Sequence, residues 1–152
     1  MPKSKGQYIE GRDLMLFVDT SQEGEPQWTP TAAATSHQIS YSGETKERVT
    51  KDTANGAFSE KSVTKLSVSI TCEALTTFNA DCGFDSLLAL MKQRKPVKLK
   101  YGFTQEEASD KYEEGLFVIT SLEQSSPADD DATYSATFEN SGAVETKTAG
   151  GT

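Results

Sequence analysis

From Lys65 to Ala74 apolar and polar residues alternate without a break. Leu66, Val68, Ile70, Cys72 and Ala74 fall on one side, and Lys65, Ser67, Ser69, Thr71 and Glu73 on the other. A period of two, rich in β-branched types, predicts a strand with one buried and one wet face. Beyond the linker 75–83 the period changes. Phe84, Leu87, Leu88 and Met91 recur at i, i+3, i+4 and i+7, which predicts a helix over residues 85–94 with one apolar face. Asp85 is the expected N-cap, Lys92, Arg94 and Lys95 suit the negative end of the helix dipole, and Pro96 forbids continuation. Val97, Leu99, Tyr101 and Phe103 then alternate with Lys98, Lys100 and Gly102, so the chain returns as a strand. The expected core comprises Leu66, Val68, Ile70, Leu87, Leu88, Met91, Leu99 and Tyr101.

The flanks carry weaker versions of the same pattern. Residues 13–19 (DLMLFVD) are apolar between two aspartates, a strand covered on both faces or one edge of an interface. Residues 21–30 hold Gly24, Pro26 and Pro30 and read as a loop whose Trp28 packs down onto the core. Residues 36–41 alternate again, with His37, Ile39 and Tyr41 on one side. The stretch 42–62 is long, polar and mixed in charge, and its Asn55-Gly56 dipeptide suggests a protruding hairpin. After an acidic connection at 104–115, residues 116–123 and 132–139 read as strands around a turn that ends in Asp129–Asp131. Residues 140–152 offer little to bury and read as a loose tail, as residues 1–12 read as a mobile arm. About seven strands and one helix give a mainly β domain spanning 1–152, a β-sandwich or open barrel with one flanking helix.

Composition narrows the function. The chain of 152 residues is 35% hydrophobic and 25% charged with a net charge of −8, which argues against binding a nucleic-acid backbone through charge. No stretch reads as a signal peptide or approaches a membrane span. Cys72 and Cys82 do not make a disulfide framework; Cys72 lies on the inward side of its strand, and both are expected to be reduced.

Catalytic signatures are sparse. His37, the single histidine, has no cysteine or carboxylate at metal-ligand spacing, and a strand histidine is the better reading. The Asp129–Asp131 run lacks the alternating ligands and fixed glycine of a calcium loop, so a solvated turn is favoured. Glu106-Glu107 and Glu113-Glu114 are adjacent pairs that a strand would send to opposite faces, unsuited to acid–base work. No phosphate loop, nucleophile elbow or zinc-protease motif occurs. The reading is a protein without enzymatic activity, cofactor or metal.

The order of parts resembles the major tail tube protein of long-tailed phages, a superfamily shared with contractile injection systems. The matching pieces are residues 39–48 (ISYSGETKER) leading to Lys51-Asp52 and Asn55-Gly56, and the strand 63–75. After them come GFDSLLAL at 83–90, the strand 95–103, and the late pair 116–123 and 134–139. The resemblance spans roughly residues 8–140. It implies a subunit of hexameric rings stacked into a hollow tube for DNA ejection, with the inner sheets of the ring joined into one barrel. It also implies partners of the same kind, terminator or initiator proteins at the tube ends, DNA only as transiting cargo, no membrane, and a place in the virion tail after synthesis in the host cytoplasm. The expected subunit interface is the charged hairpin: Glu44, Lys46, Glu47, Arg48, Lys51, Asp52, Asn55, Phe58, Glu60 and Lys61. The inner tube of a contractile injection or secretion system is the alternative. A monomeric ligand-binding sandwich ranks below both, because the aromatic residues sit at strand positions that a core explains.

Overall fold

The computed structural model describes residues 3–21, 24–48, 60–78 and 81–150. In chain order the elements are β1 (Leu14–Asp19), β2 (Trp28–Pro30), β3 (Ala34–Arg48), β4 (Glu60–Leu75), α1 (Phe84–Lys92), β5 (Val97–Phe103), β6 (Lys111–Ser125) and β7 (Thr133–Thr148). The seven strands form one sheet in the order β2-β1-β5-β6-β7-β4-β3, with antiparallel neighbours throughout.

That order forces the sheet to curl. β2 and β3 lie at opposite margins, yet only Thr31, Ala32 and Ala33 join them. Six strand spacings of about 4.8 Å would separate the margins of a flat sheet by nearly 30 Å. Four chain steps reach at most about 14 Å. The connection is pinned instead. The Thr31 amide donates to Leu16 O at 3.1 Å, its hydroxyl lies 3.0 Å from His37 Nε2, and Leu75 N donates to Ala33 O at 3.1 Å. His37 of β3 and Tyr101 of β5 meet edge to face at 6.4 Å. The result is an open barrel flanked by one helix, the architecture that the alternation predicts.

The interior follows the pattern of β4 and its neighbour β7. The pairs Ile70↔Phe138, Cys72↔Ala136 and Ala74↔Tyr134 are buried, and Leu16, Val18, Leu99, Phe117 and Leu87 complete the core. Cys72 and Cys82 are both free and buried.

Several expectations are corrected. Leu66 is exposed, because β4 meets β7 only from Ser69 onward and Leu66 lies where the strand has outrun the body. Leu88, Met91 and Tyr101 are half-buried; the helix turns Leu87 fully inward, with Phe84 and Leu90 beside it. The N-cap is Gly83, which leaves Asp85 in the first turn, where its charge still suits the dipole. Trp28 belongs to the edge strand β2 and is half-buried. Residues 140–148, expected to be loose, continue β7, because Lys111–Gly115 of the former acidic connection supply a pairing partner.

Candidate assembly site

The hairpin expected at 42–62 is built by β3 and β4, which stay in register from Ser36↔Glu73 to Arg48↔Glu60 with one bulge near Glu44. Past Ser69 no third strand among the described residues pairs with it, and it projects as a two-stranded ribbon. Where β4 leaves β7, Asn140 takes over the vacated position, its Oδ1 accepting from Val68 N at 2.9 Å. The ribbon exposes Glu44, Lys46, Glu47, Arg48, Glu60 and Lys61 together. Of these, Glu44, Lys46, Glu47, Arg48 and Lys61 form no ion pair within the chain among the described residues. Lys51, Asp52, Asn55 and Phe58 lie outside the described residues.

A second surface carries no chemical motif in the sequence. The outward side of β3, β4, β7 and β6 forms cross-strand rows: Ser40–Ser69–Glu139–Val118, Gln38–Thr71–Thr137–Ser121 and Ser36–Glu73–Ser135–Glu123. Short hydroxyl side chains dominate, and the charges are the carboxylates Glu73, Glu123 and Glu139. Lysine and arginine are absent from 66–91 and from 112–146. The signal was present in the sequence as the polar half of each alternation, but only the strand order unites four such halves into one wall.

Both margins of this wall are open. β3 is the last strand of the sheet, and its residues 34–43 carry no Asp, Glu, Lys, Arg or Pro. Proteins usually blunt such an edge with charge, proline or brevity; the opposite margin, β2, is three residues long and ends in Pro30. On the other side, β5 pairs with β6 only at Glu113–Phe117; from Val118 to Ser125 no strand among the described residues pairs with that side of β6, although α1 packs against β6.

The N-terminal segment folds back on the barrel. Lys3 Nζ pairs with Asp110, donates to Gln105 O at 3.3 Å and lies 4.2 Å from the Phe103 ring centroid. The Lys3 hydrogen bond holds the Asp110 carboxyl below its usual range.

The buried ionisable groups do not make a reactive centre. His37 and Cys72 are cross-strand partners, a pairing that in other settings activates a thiol. Here burial pushes Cys72 up to about 11 and Cys82 up to about 12, and burial lowers His37, keeping its ring neutral. Activation requires the opposite shifts. No group of three or more His, Cys, Asp or Glu gathers at metal-binding distance among the described residues.

The profile of the family described as phage tail tube protein matches residues 8–146. No curated protein matches the chain. Among solved structures, the tail of an empty gene transfer agent particle with C6 symmetry superimposes with a TM-score of 0.75 at 21% identity, over 92% of this chain and 99% of that one. The SPP1 tail tube gives 0.73 at 15% identity, over 93% and 80%. The sheath/tube terminator of the extracellular contractile injection system PVC gives 0.62 at 16%, over 95% and 99%.

Proposed function

The chain belongs to the phage tail tube protein family, and on that premise we propose that six copies close into a ring and that rings stack into the tube through which DNA passes. The family is structural and its members are virion tail components. The observation that carries the ring is the four-stranded wall with two open margins. The fully open margin of β3 in one subunit pairs with the Val118–Ser125 stretch of β6 in the next. Because the wall has four alternating strands, a rotation about an axis along them brings β3 beside a β6 running the other way. The new contact is therefore antiparallel, like every other in the sheet. Six-fold closure accords with the C6 symmetry of the gene transfer agent tail.

The wall then lines the bore. Hydroxyl side chains present no long cation to grip a phosphate, and Glu73, Glu123 and Glu139 repel a polyanion, so DNA slides instead of binding. This sign of charge favours DNA over protein as cargo. The hairpin residues Glu44, Lys46, Glu47, Arg48, Glu60 and Lys61, with Lys51, Asp52, Asn55 and Phe58, meet neighbouring subunits. Terminator and initiator proteins close the tube ends, and the subunit is made in the host cytoplasm. Negative-stain microscopy over a concentration series tests the reading: six-fold rings or tubes are expected, and a species that stays monomeric at every concentration overturns it.

A further inference from the structure

We propose that protonation of His37 unlatches the seam between β1 and β3 and so weakens ring closure, making the ring-forming margin sensitive to mild acid; this rests on the ring reading above. His37 is the single histidine of the chain and stands on the inward side of β3, opposite Cys72. Its Nε2 lies 3.0 Å from the Thr31 hydroxyl, and its ring meets Tyr101 of β5 edge to face. Among the described residues Thr31 is the one buried polar side chain. Its amide donates to Leu16 O of β1 at 3.1 Å. A single residue thus joins β3 to β1, one end through its side chain and the other through its backbone.

The seam has little else to hold it. No strand ladder spans it among the described residues, since β1 meets β2 only at Phe17–Asp19 and β3 pairs with β4 alone. The connection is also strained: Ala33 stands at φ 53°, a left-handed conformation that a side chain disfavours. Its backbone is tied down at two further points, Ala32 N donating to Cys82 O at 2.8 Å and Leu75 N donating to Ala33 O at 3.1 Å. β3 is the margin offered to the next subunit, and the seam sets how that margin sits on the barrel. A closed ring needs the same turn at every contact, so loosening the seam disturbs closure. The buried β4–β7 pairs lie elsewhere and keep the subunit folded.

A neutral ring suits this place and a charged one does not. From β4 it faces the Cys72 thiol, which burial keeps protonated, and from β5 the Tyr101 phenol, raised by burial as well. From β1 comes the Met15 thioether, 3.8 Å from the Thr31 hydroxyl. Cys82, beside Ala32, is another protonated thiol. Along β3 the next ionisable group on that side is Tyr41, raised by burial and then by Glu113 and Tyr101. Glu73 follows Cys72 and so takes the opposite side of the sheet. Burial alone lowers His37, with no carboxylate to offset it. Opening the seam frees the ring to take up its proton. The closed seam is therefore intact above about pH 6.5, the free-ring value, and below it loses up to tenfold in closed-to-open ratio per pH unit.

The test follows the full-length chain from about pH 7.5 to 5.5, the range in which a histidine titrates. Proton NMR reads the one imidazole in the dispersed subunit. Amide exchange, corrected for its intrinsic pH dependence, reads Thr31, Ala32 and Leu75, and sedimentation reads the ring fraction. The imidazole should titrate below about pH 6.5. The three amides should lose protection with it, and rings should decline about tenfold. His37→Gln keeps a hydrogen-bonding group that does not titrate, and should hold rings and protection level. An imidazole that titrates at or above about pH 6.5, or amides that stay protected as it titrates, overturns the latch. These two readings need no variant, so they decide even where His37→Gln misfolds. Rings that persist while the amides open, or that dissolve in His37→Gln as in the wild type, overturn the link to assembly and leave the ring reading standing. A wild-type chain without rings at any pH refutes the ring reading and that link with it, while titration and exchange still judge the latch.

Discussion

Leu66 and Leu87 are the same side chain in opposite circumstances: one stands in solvent on the ribbon, the other is fully buried under the helix. Leu87→Ala should therefore lose about 2–5 kcal/mol of stability in denaturant titration, through transfer and cavity terms together. Leu66→Ala should stay within about 0.5 kcal/mol in the free subunit. Gly102 is a further constraint, since a Cβ there would stand 2.8 Å from Tyr112 Cβ. Gly102→Ala should cost about 1–3 kcal/mol by overpacking, read from the same titration. The thiols make stability depend on alkaline pH. Burial raises Cys72 and Cys82 to about 11 and about 12 in the folded chain, so well below pH 9 the thiols are protonated in both states and their contribution is intact. Between pH 9 and about 12 the unfolded chain ionises first and the denaturation midpoint should fall. Tyr134, also raised by burial, adds to the loss at the upper end. Replacing both cysteines by alanine should flatten the lower part of that slope; an unchanged slope would refute the assignment.

At the scale of elements, legibility followed the density of apolar alternation. β4, β5 and α1 announce themselves, since each places a run of large apolar residues at the right period. The upper half of β7 does not. Its residues 140–148 hold only Ala143 and Val144 as apolar members, and they are strand because Lys111–Gly115 pair with them, a partner some thirty positions away. The paired β3 and β4 arms of the ribbon were legible, while the Asn55-Gly56 dipeptide lies outside the described residues; the loss of cover at Leu66 was not legible, because it depends on where β7 diverges. The candidate surfaces divide the same way. Charged ribbon residues were readable locally, whereas the hydroxyl wall exists only once four strands are ordered. Arg48 and Glu60 stand opposite each other, so replacing 49–59 by Asn-Gly should close the ribbon with a tight turn. Circular dichroism should report a folded subunit, and microscopy should show that it no longer forms long tubes. Normal tubes from that variant would remove the distal ribbon from the assembly joint.

Across the whole molecule, charge is unevenly spread: the ribbon carries both signs, whereas residues 66–91 and 112–146 carry carboxylates without lysine or arginine. Stacking should accordingly weaken as salt is raised from about 0.01 to 1 M, over which the screening length shrinks from about 30 to 3 Å. Sedimentation across that range should show the polymer fraction falling, and a rise would mean that apolar burial alone holds the rings. The open margin of β3 has a consequence of another kind. A lone subunit must leave that row of amides and carbonyls to water, and a pair of subunits still leaves one such row bare at its end. Only the closing of the circle removes the last one. Closure of this sort is cooperative: over a concentration series the chain should pass from dispersed subunits to complete rings with few open partial rings between, as sedimentation can read.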